Sequence, residues 1–334
     1  MNARSAVSAG DGPTVISTFA GCGGSSLGYK LAGFRELLAV EWDDNAVETF
    51  RLNFPGVPVY HGDIKALTGA ECMKLAGGIA VGELDVLDGS PPCQGFSTAG
   101  KRKFDDPRNS LFREFARLLR ELQPRVFVME NVTGMVKGYM KQAYLTIIAE
   151  LRACGYRCKG EILNAMYFNV PQSRERVIIV GVRNDLGIEP SHPKPQTRPV
   201  CIREAFTGIA GRGDAPEMSQ GYHAAWYRAK PGDYVGTRQD TQKLHPDRPS
   251  NTLSKSEGYG GTYHPTEPRP ISTLERKRIG SFPDDFKFTS WKTAVQRIGN
   301  SVPPNLMFHI AKHIRENILR PAASRKNVFT PAAP

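Results

Sequence analysis

From Thr14 to about Val182, short apolar runs alternate with amphipathic stretches. Val15–Phe19, Leu37–Val40, Leu84–Leu87, Val126–Met129 and Val177–Val182 are continuous enough to predict strands buried on both faces. Between them Leu111, Phe112, Phe115, Leu118, Leu119 and Leu122 recur at helical spacing, as do Ile147, Ile148 and Leu151. Pro124 ends the first of these helices and leads into the next strand. Such alternation predicts an α/β fold, a mostly parallel sheet covered by helices.

The texture changes near Pro190. From there to about Pro270 the chain is rich in Pro, Gly, Ser and Thr, and no helical period persists. Trp226, Tyr227, Tyr234, Tyr259 and Tyr263 argue against a disordered linker, so a small, irregular second domain with short strands is expected. Order returns at Ile271, and an amphipathic helix is predicted from about Pro304 to Leu319, with Pro303 and Pro304 in its first turn. The expected organisation is a first domain over 14–189, a second over 190–270, and a return to the first over 271–320. Residues 1–13 and 321–334 are expected to be flexible.

Composition adds little except charge. Forty-four basic residues against 33 acidic ones leave +11, which suits a polyanionic partner or a generic basic surface. The six cysteines form no Cys-x-x-Cys pair, and Cys154 and Cys158 have no neighbouring histidine pair, so no metal site is expected. Reduced thiols in a cytoplasmic protein is the plain reading. No apolar stretch approaches the ~20 residues that span a bilayer, and Met1–Pro13 has no hydrophobic core of a secretory signal.

Candidate chemistry gathers at the ends of the predicted strands, where open α/β sheets bind ligands. Phe19-Ala-Gly-Cys-Gly-Gly-Ser-Ser-Leu-Gly28 follows the first strand, and its small residues allow a ligand close to the backbone. A dinucleotide fingerprint would need glycine at position 26, which is serine. Glu41, about 20 residues on from that turn, ends the second strand, where an acid can hold ribose hydroxyls. Trp42 could lie against a purine, and Asp63 could accept from an exocyclic amine. Singly these are a turn, a cap and a core residue; together they outline an adenosine-shaped pocket. Cys93, in Gly-Ser-Pro-Pro-Cys-Gln-Gly-Phe-Ser, is either a presented nucleophile or a small buried hydrophobe. Glu130 ends a four-residue apolar run, awkward for mere solubility. In an extended Gln172-Ser-Arg174-Glu-Arg176, alternate residues share a face, and two guanidiniums there suit a carboxylate or phosphate, or else an exposed edge.

In this order the blocks resemble the C5-cytosine-specific DNA methyltransferases of bacterial restriction-modification systems. The resemblance runs from about Val15 to Ala311: Phe19–Gly28, Glu41-Trp42, Asp63, Pro91-Pro-Cys93-Gln, Glu130-Asn-Val132, Gln172-x-Arg174-x-Arg176, Leu274–Phe286 and Gln296-Arg-Ile-Gly-Asn-Ser-Val302. It implies a Rossmann-like S-adenosylmethionine-dependent methyltransferase domain with a smaller, mostly irregular or β target-recognition domain. The implied catalytic residues are Cys93, Glu130, Arg174 and Arg176: Cys93 adds to C6 of a flipped cytosine, and Glu130 hydrogen-bonds N3 and the exocyclic amine. Arg176 pairs with the base's O2 or holds Glu130, and Arg174 supports it.

The resemblance further implies an S-adenosylmethionine pocket of Phe19, Gly21, Gly23, Gly24, Leu27, Glu41, Trp42, Asp63, Ile64, Pro92, Asn300, Ser301 and Val302, with S-adenosylhomocysteine as product. Double-stranded DNA is the implied partner, contacted by Gln94, Ser97, Lys101, Arg102, Lys103, Arg248 and Thr252. The segment Ser97–Asn109 is expected to close over DNA, the alternative being a solvated charged turn. Arg198, Arg203, Arg212, Arg228, Arg238 and Arg248 are candidates for guanine contacts. One departure is Ser17, where the family often carries an acid. A monomer at the nucleoid, with a separately acting restriction endonuclease, completes the expectation.

Three other readings compete. A transfer-RNA branch of the family carries Cys-Phe-Thr, whereas Cys201 is followed by Ile202 and Arg203. A non-catalytic DNA-binding relative would not need Cys93, Glu130 and Arg176 together. A nicotinamide oxidoreductase fails on the glycine pattern.

Overall fold

A computed structural model of the chain describes residues 12–92, 110–211, 213–236, 241–255 and 261–326. Seven strands form one sheet: β1 (Thr14–Thr18), β2 (Arg35–Glu41), β3 (Val59–His61), β4 (Val86–Gly89), β5 (Val126–Val132), β6 (Tyr156–Asn164) and β7 (Glu175–Arg183). Their order is β3-β2-β1-β4-β5-β7-β6. The first five run parallel, and β7 is antiparallel to both β5 and β6. The strand order reverses between β1 and β4, which opens a crevice at their carboxyl ends.

Alternate residues of each strand enter different cores. Ile16, Leu87, Phe127, Met129 and Ile179 pack under helices that carry Phe115, Leu118, Leu119, Ile147 and Leu151. Val15, Val86, Val126, Val128 and Val180 pack under Leu306, Met307, Ile310 and Ile314 on the other face. Covering both faces explains why these strands read as unbroken apolar runs. The helices over this part are α1 (Gly24–Leu31), α2 (Asp44–Asn53), α3 (Gly69–Leu75), α4 (Ser110–Leu122) and α5 (Lys141–Ala153).

The irregular segment is more helical and less β than its composition suggests. It holds α6 (Ile202–Ala205) and α7 (Gln220–Arg228), while β8 (Gln242–Lys243) and β9 (Thr262–Tyr263) are two residues each. Trp226, Val235 and Tyr263 make a small core of their own. The segment is also rooted in the larger body, because Ile202, Leu244 and Leu253 share a cluster with Cys22, Ala39 and Phe50. The chain returns through α8 (Thr273–Ile279), α9 (Trp291–Asn300) and α10 (Pro304–Ile314). Helix continues through a π turn, Arg315–Leu319, into α11 (Arg320–Lys326), where a frayed tail was expected. Buried Ile318, Leu319 and Ala322 hold it against the sheet.

Candidate active site

Strand register puts the candidate residues in one line. Thr18 pairs with Val40 on one side and Gly89 on the other, and Gly89 pairs with Met129. The next residue on each strand is therefore Glu41, Phe19, Ser90 and Glu130, emerging side by side at the crevice. The β1–α1 turn is tightly wound, with positive φ at Phe19 (54°), Gly21 (58°) and Gly23 (93°). Glycine suits two of these positions; Phe19 holds its left-handed conformation as backbone strain at the crevice. Gly24 and Gly28 serve packing instead. A Cβ on Gly24 would lie 2.5 Å from Val302 O, and one on Gly28 would lie 2.6 Å from Met307 Cβ.

Glu41 is buried, and its Oε2 accepts from the Gly21 amide at 2.7 Å. Its Oε1 accepts from Trp42 and Asp43 amides at 2.9 and 3.0 Å. The carboxylate is thereby fixed in place with acceptor capacity to spare. It lines a cavity of about 600 Å³ with Phe19, Gly21, Cys22, Trp42, Asp43, Ser90, Pro92, Leu111, Lys255, Gln296, Arg297, Asn300 and Ser301. That volume lies in the ordinary range for small-molecule sites. Trp42 offers an exposed indole, 74% accessible.

Seven of the thirteen anticipated pocket residues, namely Phe19, Gly21, Glu41, Trp42, Pro92, Asn300 and Ser301, are on this wall; the other six are not. Gly23 and Gly24 stand behind the turn, Leu27 packs in the neighbouring cluster, and Val302 and Ile64 are core residues. Asp63 is exposed and accepts from the Lys65 amide, one residue beyond Gly62, whose amide donates to Glu41 O. Cys22, Ser90, Gln296 and Arg297, which lie in the motif blocks without having been assigned to the pocket, complete it together with Asp43, Leu111 and Lys255. Arg297 pairs with Asp43 at 2.7 Å and donates to Asn45 Oδ1 at 2.9 Å.

A second acid lies beneath the turn. Asp88 is 3% exposed and pairs across the ladder with Ser17, the position that departs from the family pattern. Tyr29 OH donates to its Oδ1 at 3.2 Å. Burial, reinforced by the nearby charge of Glu36, pushes the Asp88 carboxyl up to about 8, and burial pushes Glu36 up to about 7. Burial also raises the thiols of Cys22 to about 11 and of Cys72 and Cys158 to about 12, so these three stay protonated.

Glu130 and Arg176 meet on adjacent strands. Glu130 pairs with Ile178 and Val132 with Arg176, so the two side chains are diagonal neighbours on one face. Arg176 Nε lies 2.8 Å from Glu130 Oε1, with both side chains about one-eighth exposed (12% and 13%). Next to Glu130, Asn131 Nδ2 donates to Pro91 O at 3.0 Å, tying this strand end to the Pro-Pro turn.

Arg174 does not face an acid. It is 2% exposed, its Nη2 donates to Gly299 O at 3.0 Å, and its buried Nε has no partner among the described residues. Burial and the neighbouring Arg176 charge lower it to about 9. The expected shared target of two guanidiniums is thus met only by Arg176; Arg174 joins β7 to α9. Gln172 acts likewise, accepting from the Leu253 amide at 3.1 Å. Thr252 is exposed, with its hydroxyl donating to Ser173 O at 2.9 Å.

In the irregular segment Arg198 pairs with Glu204 and Arg203 with Asp247. Arg228 and Arg248 are exposed, and neither side chain has a hydrogen-bond or ion-pair partner among the described residues. Cys93, Gln94, Ser97, Lys101, Arg102, Lys103, Arg212 and Arg238 lie outside the described residues.

Comparison with known proteins converges on one family. The sequence pattern of the C-5 cytosine-specific DNA methylases matches residues 13–209 and 203–316. The type II methyltransferase M.NgoFVII of Neisseria gonorrhoeae is 33% identical over 331 residues, covering 90% of this chain and 86% of that one. M.Sau96I of Staphylococcus aureus is 35% identical, covering 90% and 75%. Among solved structures, one described as a DNA modification methyltransferase encoded within an E. coli prophage superposes with a TM-score of 0.80 at 25% identity, covering 92% and 99%. The S. pombe Dnmt2 methyltransferase, at 19% identity and a TM-score of 0.67 over 91% and 98%, shares the fold.

Proposed function

The chain belongs to the C-5 cytosine-specific DNA methylases, and we propose how its residues divide the work of methylating cytosine in DNA with S-adenosylmethionine. The cofactor, when bound, supplies an electrophilic methyl group. The cavity's donor set fits it: Glu41 offers acceptor lone pairs for ribose hydroxyls, Trp42 an aromatic face, and Phe19, Leu111 and Pro92 apolar surface.

Cys93, directly after Pro92, is the nucleophile. As thiolate it adds to C6 of the cytosine, which makes C5 electron-rich enough to accept the methyl group. Departure of the C5 proton to solvent then expels the thiolate and restores the aromatic ring. With the base bound, Glu130 shares a proton with N3 while its other oxygen accepts from the exocyclic amine, so the negative charge that grows on N3 as the thiolate adds is neutralised. Arg176 orients Glu130 through the 2.8 Å ion pair, and Asn131 holds the Pro91 carbonyl two residues before Cys93. Arg174 acts at a distance by fixing Gly299. A base stacked in a duplex is out of reach, so the cytosine is extruded into this crevice.

Residues 190–270 read the DNA, with Arg228 and Arg248 as exposed cations and Thr252 beside the target strand. Lys101, Arg102 and Lys103 neutralise phosphates. The protein works as a monomer on cytoplasmic, nucleoid DNA, and a separate endonuclease cuts the same word. No helix among the described residues is long and apolar enough to cross a membrane.

The observation that carries this reading is the alignment of Glu41, Phe19, Ser90 and Glu130 along the carboxyl-end side of the sheet. The test is expression of wild type and Cys93→Ala in a bacterial host without cytosine methylation, followed by conversion sequencing. Methylation at one short recurrent word, absent in the variant, is expected. Unmodified host DNA despite folded wild-type protein would overturn the reading.

A further inference from the structure

Among the described residues, the charged groups on the cavity wall are engaged, with one exception. Glu41 holds three backbone amides, and Asp43 and Arg297 pair with each other. Lys255 is exposed on that wall, and its ammonium has no hydrogen-bond or ion-pair partner among the described residues. Its backbone is tightly seated. A Cβ on Gly299 would lie 2.5 Å from Lys255 N and 2.6 Å from its Cα, so only glycine lets the two segments touch. Arg174 fixes the Gly299 carbonyl from the other side. Lys255 therefore enters the cavity beside Asn300 and Ser301.

The cofactor carries two parts of opposite demand. Its ribose hydroxyls need acceptors, which Glu41 offers. Its amino-acid end carries a carboxylate, which needs a cation or several donors once it leaves water. A carboxylate is repelled from Glu41 and Asp43 and attracted to Lys255. We propose that Lys255 holds the carboxylate of the methionyl end of S-adenosylmethionine. The cofactor is then a joint ligand of the sheet and of the segment that continues from Thr252. This rests on the cavity being the cofactor site.

The test is calorimetric binding of S-adenosylmethionine and of its decarboxylated form to wild type, Lys255→Met and Lys255→Arg. Wild type should prefer the intact cofactor. Lys255→Met should weaken the intact cofactor about tenfold, as loss of a charge-assisted hydrogen bond at an exposed site would. It should bind the decarboxylated form as wild type does, and arginine should restore most of the preference. An equal loss for both forms, no loss for either, or a loss confined to DNA binding would overturn the proposal. Failure of wild type to bind either form would instead remove the cofactor site itself.

Discussion

The crevice at the ends of β1, β2, β4 and β5 and the segment from 190 to 270 solve the same problem by different means. Each must hold polar side chains in fixed places. In the crevice the ladder does it: Val40, Thr18, Gly89 and Met129 are in register, so the residues after them emerge together. In the later segment side chains tie down backbone. Lys243 Nζ donates to the carbonyls of Trp226 and Ala229 while lying 3.5 Å from the Trp226 ring centre. Arg269 makes a two-pronged bond to buried Glu275, at 2.8 and 2.7 Å, and anchors the segment's end to α8. A site built on register tolerates changes in side chains that do not touch its ligand. A surface built on individual ties is lost tie by tie.

Substitutions can separate these two modes. The largest effect is expected at Glu130. Glu130→Gln should lower turnover by about 10²–10³-fold, the usual cost of removing a positioned group from a charge-stabilising site, with cofactor affinity unchanged by calorimetry. Retained turnover would remove Glu130 from the mechanism.

Buried acids make the next contrast. Glu275→Gln leaves Arg269 buried with only Glu267 as ion-pair partner among the described residues and should cost about 3 kcal/mol in denaturant unfolding. Among the described residues Asp88 has hydroxyl neighbours and no cation, so it is held by protonation. Its folded value, about 8, exceeds the ordinary 3.8. Between those values the folded chain keeps a proton that the unfolded chain releases, so stability falls as pH rises through that window. Asp88→Asn should flatten the pH dependence from about 4 to 8 and raise stability at pH 8 relative to wild type. An unchanged slope would show that Asp88 is not protonated in the fold.

Glycines give a smaller effect whose sign differs between the regions. Gly28→Ala drives a methyl into Met307 and the Pro304 carbonyl and should destabilise by about 1–3 kcal/mol. Gly221 in α7 has open space around a built Cβ, so Gly221→Ala should stabilise by up to about 1 kcal/mol. The smallest effect concerns DNA. Arg228→Ala should reduce the slope of log affinity against log salt by about 0.9, the share of one phosphate contact. Arg198→Ala should leave it unchanged, because Arg198 is committed to Glu204.

The same contrast explains what the sequence disclosed. Strands buried on both faces are legible as apolar runs, and β1, β2, β4, β5 and β7 were readable for that reason. β6 was not, because Arg157, Lys159 and Glu161 interrupt an edge strand whose one side faces water. α7 was hidden by Gly221, His223 and a short length. Glu41 closes β2 as the apolar run predicts, whereas Glu130, read as a strand end, lies inside β5, which continues to Val132. Arg174 was misdirected, since alternation gives a face but not the carbonyl of Gly299 that waits there. Lys255 reaches the cavity through long-range packing, which no local pattern encodes, while Arg297 stood in the last motif block without a role. Asp88 left one trace, an acid closing an apolar run.

Methyl transfer turns on the bond between Cys93 and C6 of the base. A duplex carrying the methylated word, with 5-fluorocytosine at the target, removes the C5 proton whose loss releases the enzyme. With S-adenosylmethionine present, peptide mass mapping should then find a stable adduct on the peptide containing Cys93, and none with Cys93→Ala. An adduct on another cysteine, or active wild-type enzyme that forms no adduct, would contradict it.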